Sequence, residues 1–364
     1  MSLRFGSSCS GISAACEAWN GLGWEAAWFS EIEPFPKSVL AARHPGVVDH
    51  GDMTKLPEMI RNGTIEAPAI YCAGTPCQAF STAGNRLSLA DERGNLALVF
   101  CRVANAIDDV RRGLGKPPAI IFWENVRGVL STKDNAFGCF LAELAGEDLP
   151  LIAPGGRWQN AGVVVGPKRT VAWRLVDAQY FGVAQRRQRV FVVASAREDF
   201  DPVSVLFEFE GGRRDVAPSR SQGQEVAEDP LGRLAFGGNN TGGAIEVSTA
   251  LNACSSPSGR LDFESETFIC EPIGLNARQD PDFWVGRTGP LDTDAGTQCV
   301  LQADVDGCRV RRMTPTEHER LQGFRDGHTD VVGATDGKRY KAIGNSWAVP
   351  CVRWLGQRIR AALT

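Results

Sequence analysis

Through its first 195 residues this chain alternates apolar extended runs with amphipathic helical ones, and that alternation constrains the fold more than any other feature. Residues 3–12 start extended and end in small residues, and 13–23 carry helical apolar spacing closed by glycine. Residues 24–33 return to a strand, and 34–45 read as a helix with proline near its start. A strand over 67–76, a long amphipathic helix over 95–114, a buried strand over 117–126 and a helix over 136–146 follow. Residues 171–182 and 187–195 read as strand, turn, strand. Such an order predicts an α/β fold, a parallel sheet covered by helices, because parallel neighbours need crossover helices between them.

The texture changes after Ser195. From 196 to 310 the chain is rich in Gly, Ser, Asn, Asp and Pro, with short strand-like pieces at 203–209, 244–251, 266–275 and 297–303. This stretch reads as a separate, loop-heavy module. Helical character resumes where Thr314 offers an N-cap, Pro315 the first helical position and Glu317 the reciprocal capping acid. A closing helix spans 349–363. The predicted organisation is therefore one domain from 1–195 plus 311–364, interrupted by a module over 196–310.

Composition narrows the class. The 364 residues are 43% hydrophobic, enough for a sizeable core, and the net charge of -4 announces no nucleic-acid partner by itself. Eleven cysteines are scattered without a Cys-x-x-Cys pair and only four histidines occur, which argues against a zinc site or a disulfide framework. The absence of a bilayer-length apolar run and of a cleavable leader predicts a soluble, cytoplasmic protein with reduced thiols and no membrane partner.

Several strand ends carry polar groups that a core would not choose. Small residues from Cys9 to Ala15 follow the first strand, a place where a ligand can approach the backbone, although the full Gly-x-Gly-x-x-Gly spacing is missing. Glu31 ends the second strand and Asp52 ends an expected third; each is a candidate nucleoside contact or a solvated loop acid. Cys77 sits after Gly74 and Pro76 on a rigid polar turn, either a structural thiol or a nucleophile. The run AIIFW ends in Glu124 and Asn125, and a carboxylate there is costly to desolvate and should keep its proton more readily. The strand bearing Glu124 is expected beside the one leading to Cys77. Arg187 and Arg189 alternate, so they should share one face of an extended segment, as phosphate or carbonyl ligands or as a solvated basic edge.

Taken in order, CSGIS, SEIEPF, GDMT, GTPCQAFS, DERGNL, WENVRGVL, QRRQR, RRMTPTEHERLQGF and YKAIGNSWAVP closely resemble the motifs of the DNA (cytosine-5)-methyltransferases, in the style of phage and prophage members. The resemblance covers about residues 4–195 and 310–350. It implies a Rossmann-like, S-adenosylmethionine-dependent methyltransferase domain, completed by a C-terminal helix that packs back beside the first strand. It implies a smaller, irregular β-rich target-recognition domain over 196–310, with double-stranded DNA in the cleft between them, and a monomer. By resemblance Cys77 adds to cytosine C6, Glu124 engages N3 and the exocyclic amine, and Arg187 and Arg189 are the motif arginines, Arg189 toward the base O2. Gln185 organises the same segment, and residues 81–93 correspond to a mobile catalytic loop.

The resemblance also implies the cofactor contacts. Ser10, Gly11 and Ile12 surround the methionine moiety, Glu31 holds the ribose and Asp52 the adenine amine. Gly74, Pro76 and Leu96 line the pocket, and Asn345 and Ser346 approach it. Three departures from the pattern stand out. Cys9 stands where many relatives carry an adenine-stacking phenylalanine, with Phe5 nearby. Ser13 and Ala14 replace paired glycines. Trp347 follows Gly-Asn-Ser where a smaller residue is usual, either packing in the core or reshaping the cofactor pocket. The competing readings are a tRNA cytosine-5 methyltransferase, which the long 196–310 module argues against, and a catalytically silent DNA-binding protein, which the joint presence of Cys77, Glu124 and Arg189 argues against.

Overall fold

The structure is a computed structural model that describes residues 3–76, 96–183, 185–208 and 314–363, together with short strands between 234 and 312. The chain divides into two compact units: Met1–Val176 with Gln188–Gly212 and Cys351–Thr364, and Asp177–Arg187 with Arg213–Pro350.

The first unit is built on a seven-stranded sheet. Its strands are β1 (Arg4–Ser8), β2 (Glu25–Ser30), β3 (Ile70–Ala73), β4 (Ile120–Val126), β5 (Ala161–Val165), β6 (Thr170–Asp177) and β7 (Gln188–Ser195), in the order β2-β1-β3-β4-β7-β6-β5. The helices α1 (Ala14–Trp19), α2 (Pro34–Arg43), α3 (Leu56–Arg61), α4 (Leu96–Gly113), α5 (Ala136–Ala145) and α6 (Pro202–Leu206) accompany it. Pairing is parallel from β2 through β1 and β3 to β4. It then reverses, with β7 antiparallel to β4 and β5 antiparallel to β6. The all-parallel expectation is thus corrected to a mixed sheet. The connection from β6 to β7, residues 178–187, carries only the short turn Ala178–Phe181 among its described residues and no crossover helix.

Aromatic residues fill the layer between β3, β4 and the helices α4 and α5. Trp123 stacks on Phe140 at 4.2 Å and Tyr71 on Phe100 at 4.8 Å. Burying side chains of this size contributes about 2–3 kcal/mol each before ordering costs. The C-terminal helix Val349–Ala361 runs its Cys351–Ala361 portion within this unit, where Trp19 Nε1 donates to Val352 O at 3.0 Å. Phe5 meets Trp19 edge-on at 4.9 Å and is fully buried, so it is a core residue.

Two expectations fail locally. The third strand reduces to one bridge, Phe29 with Asp49, because only four residues, 47–50, separate the Pro45-Gly46 turn from Gly51. Residues 203–209, read as strand-like, instead begin with α6. Asp201 caps it, accepting from Val203 N at 2.9 Å and Ser204 N at 3.3 Å, and Pro202 pre-sets the first turn.

In the second unit four strands pair in the order Gly307–Arg312, Cys299–Asp304, Thr267–Cys270, Leu234–Gly237, and Ile273–Leu275 pairs with Phe283–Val285. The helix Pro315–Gln322 carries the expected capping box. Thr314 Oγ1 accepts from Glu317 N at 3.2 Å, and Thr314 N donates to Glu317 Oε2 at 2.6 Å. A helix over Asp336–Asn345 follows. No helix among the described residues is long and apolar enough to cross a membrane, and no metal-binding group of His, Cys, Asp and Glu occurs among them.

Candidate active site

The carboxyl ends of β1, β2, β3 and β4 line up along one edge of the sheet in the first unit, the place where open α/β sheets take ligands. After β1 the backbone turns left-handed three times, at Cys9 (φ 48°), Gly11 (φ 53°) and Ser13 (φ 58°). Ser10 fixes this turn, its Oγ donating to Ser7 O at 2.8 Å while its N donates to Ser30 O at 3.3 Å. No heavy atom lies within 4 Å of the position a side chain would take at Gly11, so the backbone there is open to a ligand. Ile12 is fully buried behind it.

Glu31 is the hinge of this edge. Its carboxylate accepts three backbone N–H groups: Gly11 at 2.7 Å, Ile32 at 2.8 Å and Glu33 at 2.9 Å. The first of these ties the β2 end to the β1 turn. Asp52 accepts from Thr54 N at 3.0 Å and caps the short turn Met53–Lys55. Between them lies Cys9, its Sγ 3.6 Å from Met53 Sδ. Burial first, then the Glu31 and Asp52 carboxylates, push the Cys9 thiol up to about 12.

The second part of the edge joins β3 to β4. Ala73 lies opposite Trp123, so Glu124 emerges beside the turn Gly74-Thr75-Pro76. Trp123 Nε1 donates to Thr75 Oγ1 at 2.9 Å and Asn125 Nδ2 donates to Thr75 O at 3.0 Å. The two neighbours of Glu124 therefore both grip the turn that leads to Cys77. Cys77 itself and the loop 81–93 lie outside the described residues, as do Arg213, Arg214, Arg220 and Arg260. Gly74 is half-buried, Pro76 is exposed, and Leu96 packs against the core at the start of α4. Glu124 faces the Arg189 guanidinium from β7, Nε to Oε1 at 3.1 Å, so its burial is compensated by a cation. The position of Arg189 opposite Val126 follows from the antiparallel register of β7 on β4.

Arg187 behaves differently. Strand β7 begins only at Gln188, so the alternation that should put Arg187 and Arg189 on one face does not extend to Arg187. Arg187 belongs to the second unit and is 2% exposed. Its Nη2 donates to Gly344 O at 3.0 Å and Ser346 O at 2.6 Å, while its N donates to Asp177 Oδ1 at 3.0 Å. Gln322 Nε2 donates to the same Ser346 carbonyl at 2.8 Å and to Ile343 O at 3.0 Å. Together they satisfy carbonyls at the end of the helix Asp336–Asn345, where a cation also suits the helix dipole. This clamp fixes the backbone of Asn345 and Ser346; the Asn345 side chain is exposed and Trp347 is buried. Gln185 is fully buried in the same unit.

Sequence reasoning missed Thr75, Trp123, Asn125 and Gln322. Asn125 had a signal, being a polar residue next to the acid on a buried strand end. Gln322 had none, since a glutamine in a helix is ordinarily solvated.

Comparison with known proteins shows the family. Residues 3–215 match the family described as C-5 cytosine-specific DNA methylase. The chain is 40% identical over 464 aligned positions to a DNA N-6-adenine-methyltransferase of Escherichia phage P1, covering 99% of this chain and 61% of that relative's length. It is 27% identical over 361 positions to the type II methyltransferase M.HpaII of Haemophilus parainfluenzae, covering 96% and 87%. The solved Dnmt2 methyltransferase of S. pombe shares the fold with a TM-score of 0.59 at 16% identity, over 99% of each chain.

Proposed function

Since the chain belongs to the C-5 cytosine-specific DNA methylase family, we propose that it methylates C5 of a cytosine in a specific duplex DNA sequence, by way of a covalent adduct between Cys77 and C6. The family's cofactor is S-adenosylmethionine, which supplies an electrophilic sulfonium methyl when bound. The residues present suit it: the backbone at Gly11 is open, and the Glu31 carboxylate ties the β1 turn to the end of β2. Ser10, Gly11, Ile12, Glu31, Asp52, Gly74, Pro76 and Leu96 hold it in this reading, and Asn345 and Ser346 are assigned to it by resemblance.

The observation that carries the reading is the double grip of Trp123 and Asn125 on Thr75. It couples the turn that precedes Cys77 in the sequence to the strand end bearing Glu124. Cytosine C5 is a poor nucleophile until a thiolate adds at C6. Glu124 then shares a proton with N3, which keeps negative charge from accumulating on the ring. Arg189 orients Glu124 through the 3.1 Å ion pair and presents a cation toward the base. Arg187 acts as a positioning residue, through Gly344 and Ser346. The target base must leave the stack to reach these groups. Residues from the 196–310 module read the surrounding sequence.

A second reading, methylation of the adenine amino group, is favoured by the name of the phage P1 relative. Nucleoside digestion of a methylated duplex separates the two, as 5-methyldeoxycytidine or N6-methyldeoxyadenosine. Transfer to tRNA is measured in parallel. A duplex containing 5-fluorocytosine should trap a denaturation-stable adduct that Cys77→Ser abolishes. Adduct formation by Cys77→Ser refutes the mechanism.

A further inference from the structure

The chain passes between the two units four times, after Val176, Arg187, Gly212 and Pro350. In the first unit, the segments next to these crossings are laced together at one small helix. Like any helix, α6 leaves its last four carbonyls without intrahelical partners. They belong to Ser204, Val205, Leu206 and Phe207. Arg358, more than 150 residues away, donates from Nε to Val205 O and from Nη2 to Ser204 O and Phe207 O, the last at 2.7 Å. Arg174 on β6 donates from Nη1 to Leu206 O at 2.7 Å. All four orphan carbonyls thus end on two guanidinium groups.

The elements involved are not arbitrary. Arg174 lies two residues before the first crossing, and β7, against which α6 packs, starts at the second. Helix α6 ends shortly before the third, and Arg358 lies on the helix that begins at the fourth. Trp354, one turn before Arg358, places its ring 5.3 Å from the guanidinium carbon and restricts its rotamers. Val205 and Leu206 are fully buried, so the carbonyls cannot simply turn to water. A helix of five residues has little stability of its own. Its carboxyl end is therefore held by the two arginines, as its amino end is by Asp201.

The geometry points to Arg358 and Arg174 as positioning residues that fix the first-unit ends of the segments leading to the proposed DNA-reading residues. Neither arginine touches the cofactor edge or a base. This inference rests on the proposed function only in taking duplex DNA as what the second unit addresses. Loss of the lacing should therefore weaken productive duplex binding while leaving the cofactor site intact.

The experiment compares wild type, Arg358→Met, Arg358→Lys and Arg174→Met for duplex KM, kcat, S-adenosylmethionine affinity and the salt dependence of duplex binding. Arg358→Met should raise duplex KM about 10-fold or more, the scale of one lost charge-assisted hydrogen bond. The cofactor Kd should stay within about 2-fold and kcat at saturating duplex should change little. Arg358→Lys should recover part of the loss, and Arg174→Met, which removes one bond only, should show a smaller rise of the same kind. The salt slope should match wild type, because no phosphate contact is removed. An unchanged duplex KM in Arg358→Met overturns the inference, and so does a parallel loss of cofactor affinity. A salt slope reduced by about 0.9 also overturns it, by making Arg358 a phosphate ligand. If Arg358→Met fails to fold, Arg174→Met carries the same test. Duplex affinity is read alongside turnover by fluorescence anisotropy. Wild-type protein that binds duplex but makes no 5-methylcytosine then counts against the proposed function, and the lacing is judged on affinity.

Discussion

Replacing Glu31 by glutamine changes one atom type at the centre of the cofactor edge, and its consequence can be worked from three distances. The carboxylate accepts Gly11 N at 2.7 Å on Oε2, and Ile32 N at 2.8 Å and Glu33 N at 2.9 Å on Oε1. Glutamine has one acceptor oxygen. Directed toward Ile32 and Glu33 it keeps two bonds, but its amide nitrogen then faces the Gly11 N–H, donor against donor. A bond to a charged acceptor is worth about 1.5–3 kcal/mol net and a neutral one about 0.5–1.5 kcal/mol. One bond is lost and two weaken, for a gross cost of about 3–5 kcal/mol. Glu31 is only 7% exposed but Gly11 is half-buried, so water can recover part of the loss at Gly11. A net destabilisation of about 3 kcal/mol remains, or a fall of about 6–12 °C in Tm for a unit of this size.

The assay is thermal unfolding of cofactor-free Glu31→Gln, followed by cofactor titration calorimetry. A carboxylate that served the ligand alone would leave the cofactor-free Tm untouched. The Glu31–Gly11 bond requires the fall in Tm first, because the β1 turn loses its tie to β2 before any ligand arrives. Cofactor affinity should fall as well, since Gly11 lies in the turn that forms the site. A wild-type Tm in cofactor-free Glu31→Gln refutes the account.

Three further outcomes follow from particular contacts. Asp108→Ala removes the counter-ion of the Arg169 guanidinium, which is 3% exposed and held at 2.8 Å, leaving it only its bonds to Asn105 and the Leu144 carbonyl, and should cost about 3–5 kcal/mol in urea unfolding, with much of it restored by removing both charges for apolar groups. Gly356→Ala drives a Cβ to 2.5 Å from the Trp19 ring and should cost about 1–3 kcal/mol, with a shift in tryptophan fluorescence as the C-terminal helix moves. Burial drives His318 down to about 4, against the opposing pull of the Thr314 carbonyl and Glu317. The unfolded chain then binds a proton that the native state refuses, so this contribution is complete above pH 6.5 and fades as pH falls toward 4. It amounts to about 3 kcal/mol at most, and His318→Gln should flatten that part of the urea-midpoint profile between pH 7.5 and 4.5.

What the sequence made legible were features decided by neighbours in the chain. The capping box at Thr314 and Glu317 is one: proline, acid and hydroxyl lie within four residues and close on each other. The buried strand ending in Glu124 is another, because an apolar run of that length between turns has few alternatives. Features set by distant groups were not legible. Residues 203–209 alternate apolar and polar as a strand does, yet Asp201 and two arginines from elsewhere make a helix of their start. The helix Asp336–Asn345 contains two glycines and few apolar residues, and its carboxyl end is held by Gln322 and Arg187. Arg187 itself was misjudged because the period-two argument holds only inside a strand, and the strand starts one residue later.

The two buried acids of the sheet edge are stabilised by opposite means, and the difference bears on what each can bind. Glu124 is neutralised by a guanidinium, so that corner carries a cation and an anion in contact and little net field. Glu31 is held by three uncharged amides, while Lys37, which donates to its backbone carbonyl at 3.3 Å, is paired with Asp49 at 2.8 Å. Burial raises the Cys9 thiol most, and the Glu31 and Asp52 carboxylates raise it further. Such an edge favours a ligand that brings its own positive charge and disfavours a pyrophosphate, whose oxygens would meet two carboxylates. The incomplete glycine fingerprint after β1 and the electrostatics of the folded edge thus point the same way, toward a nucleoside carrying a cationic centre rather than a dinucleotide.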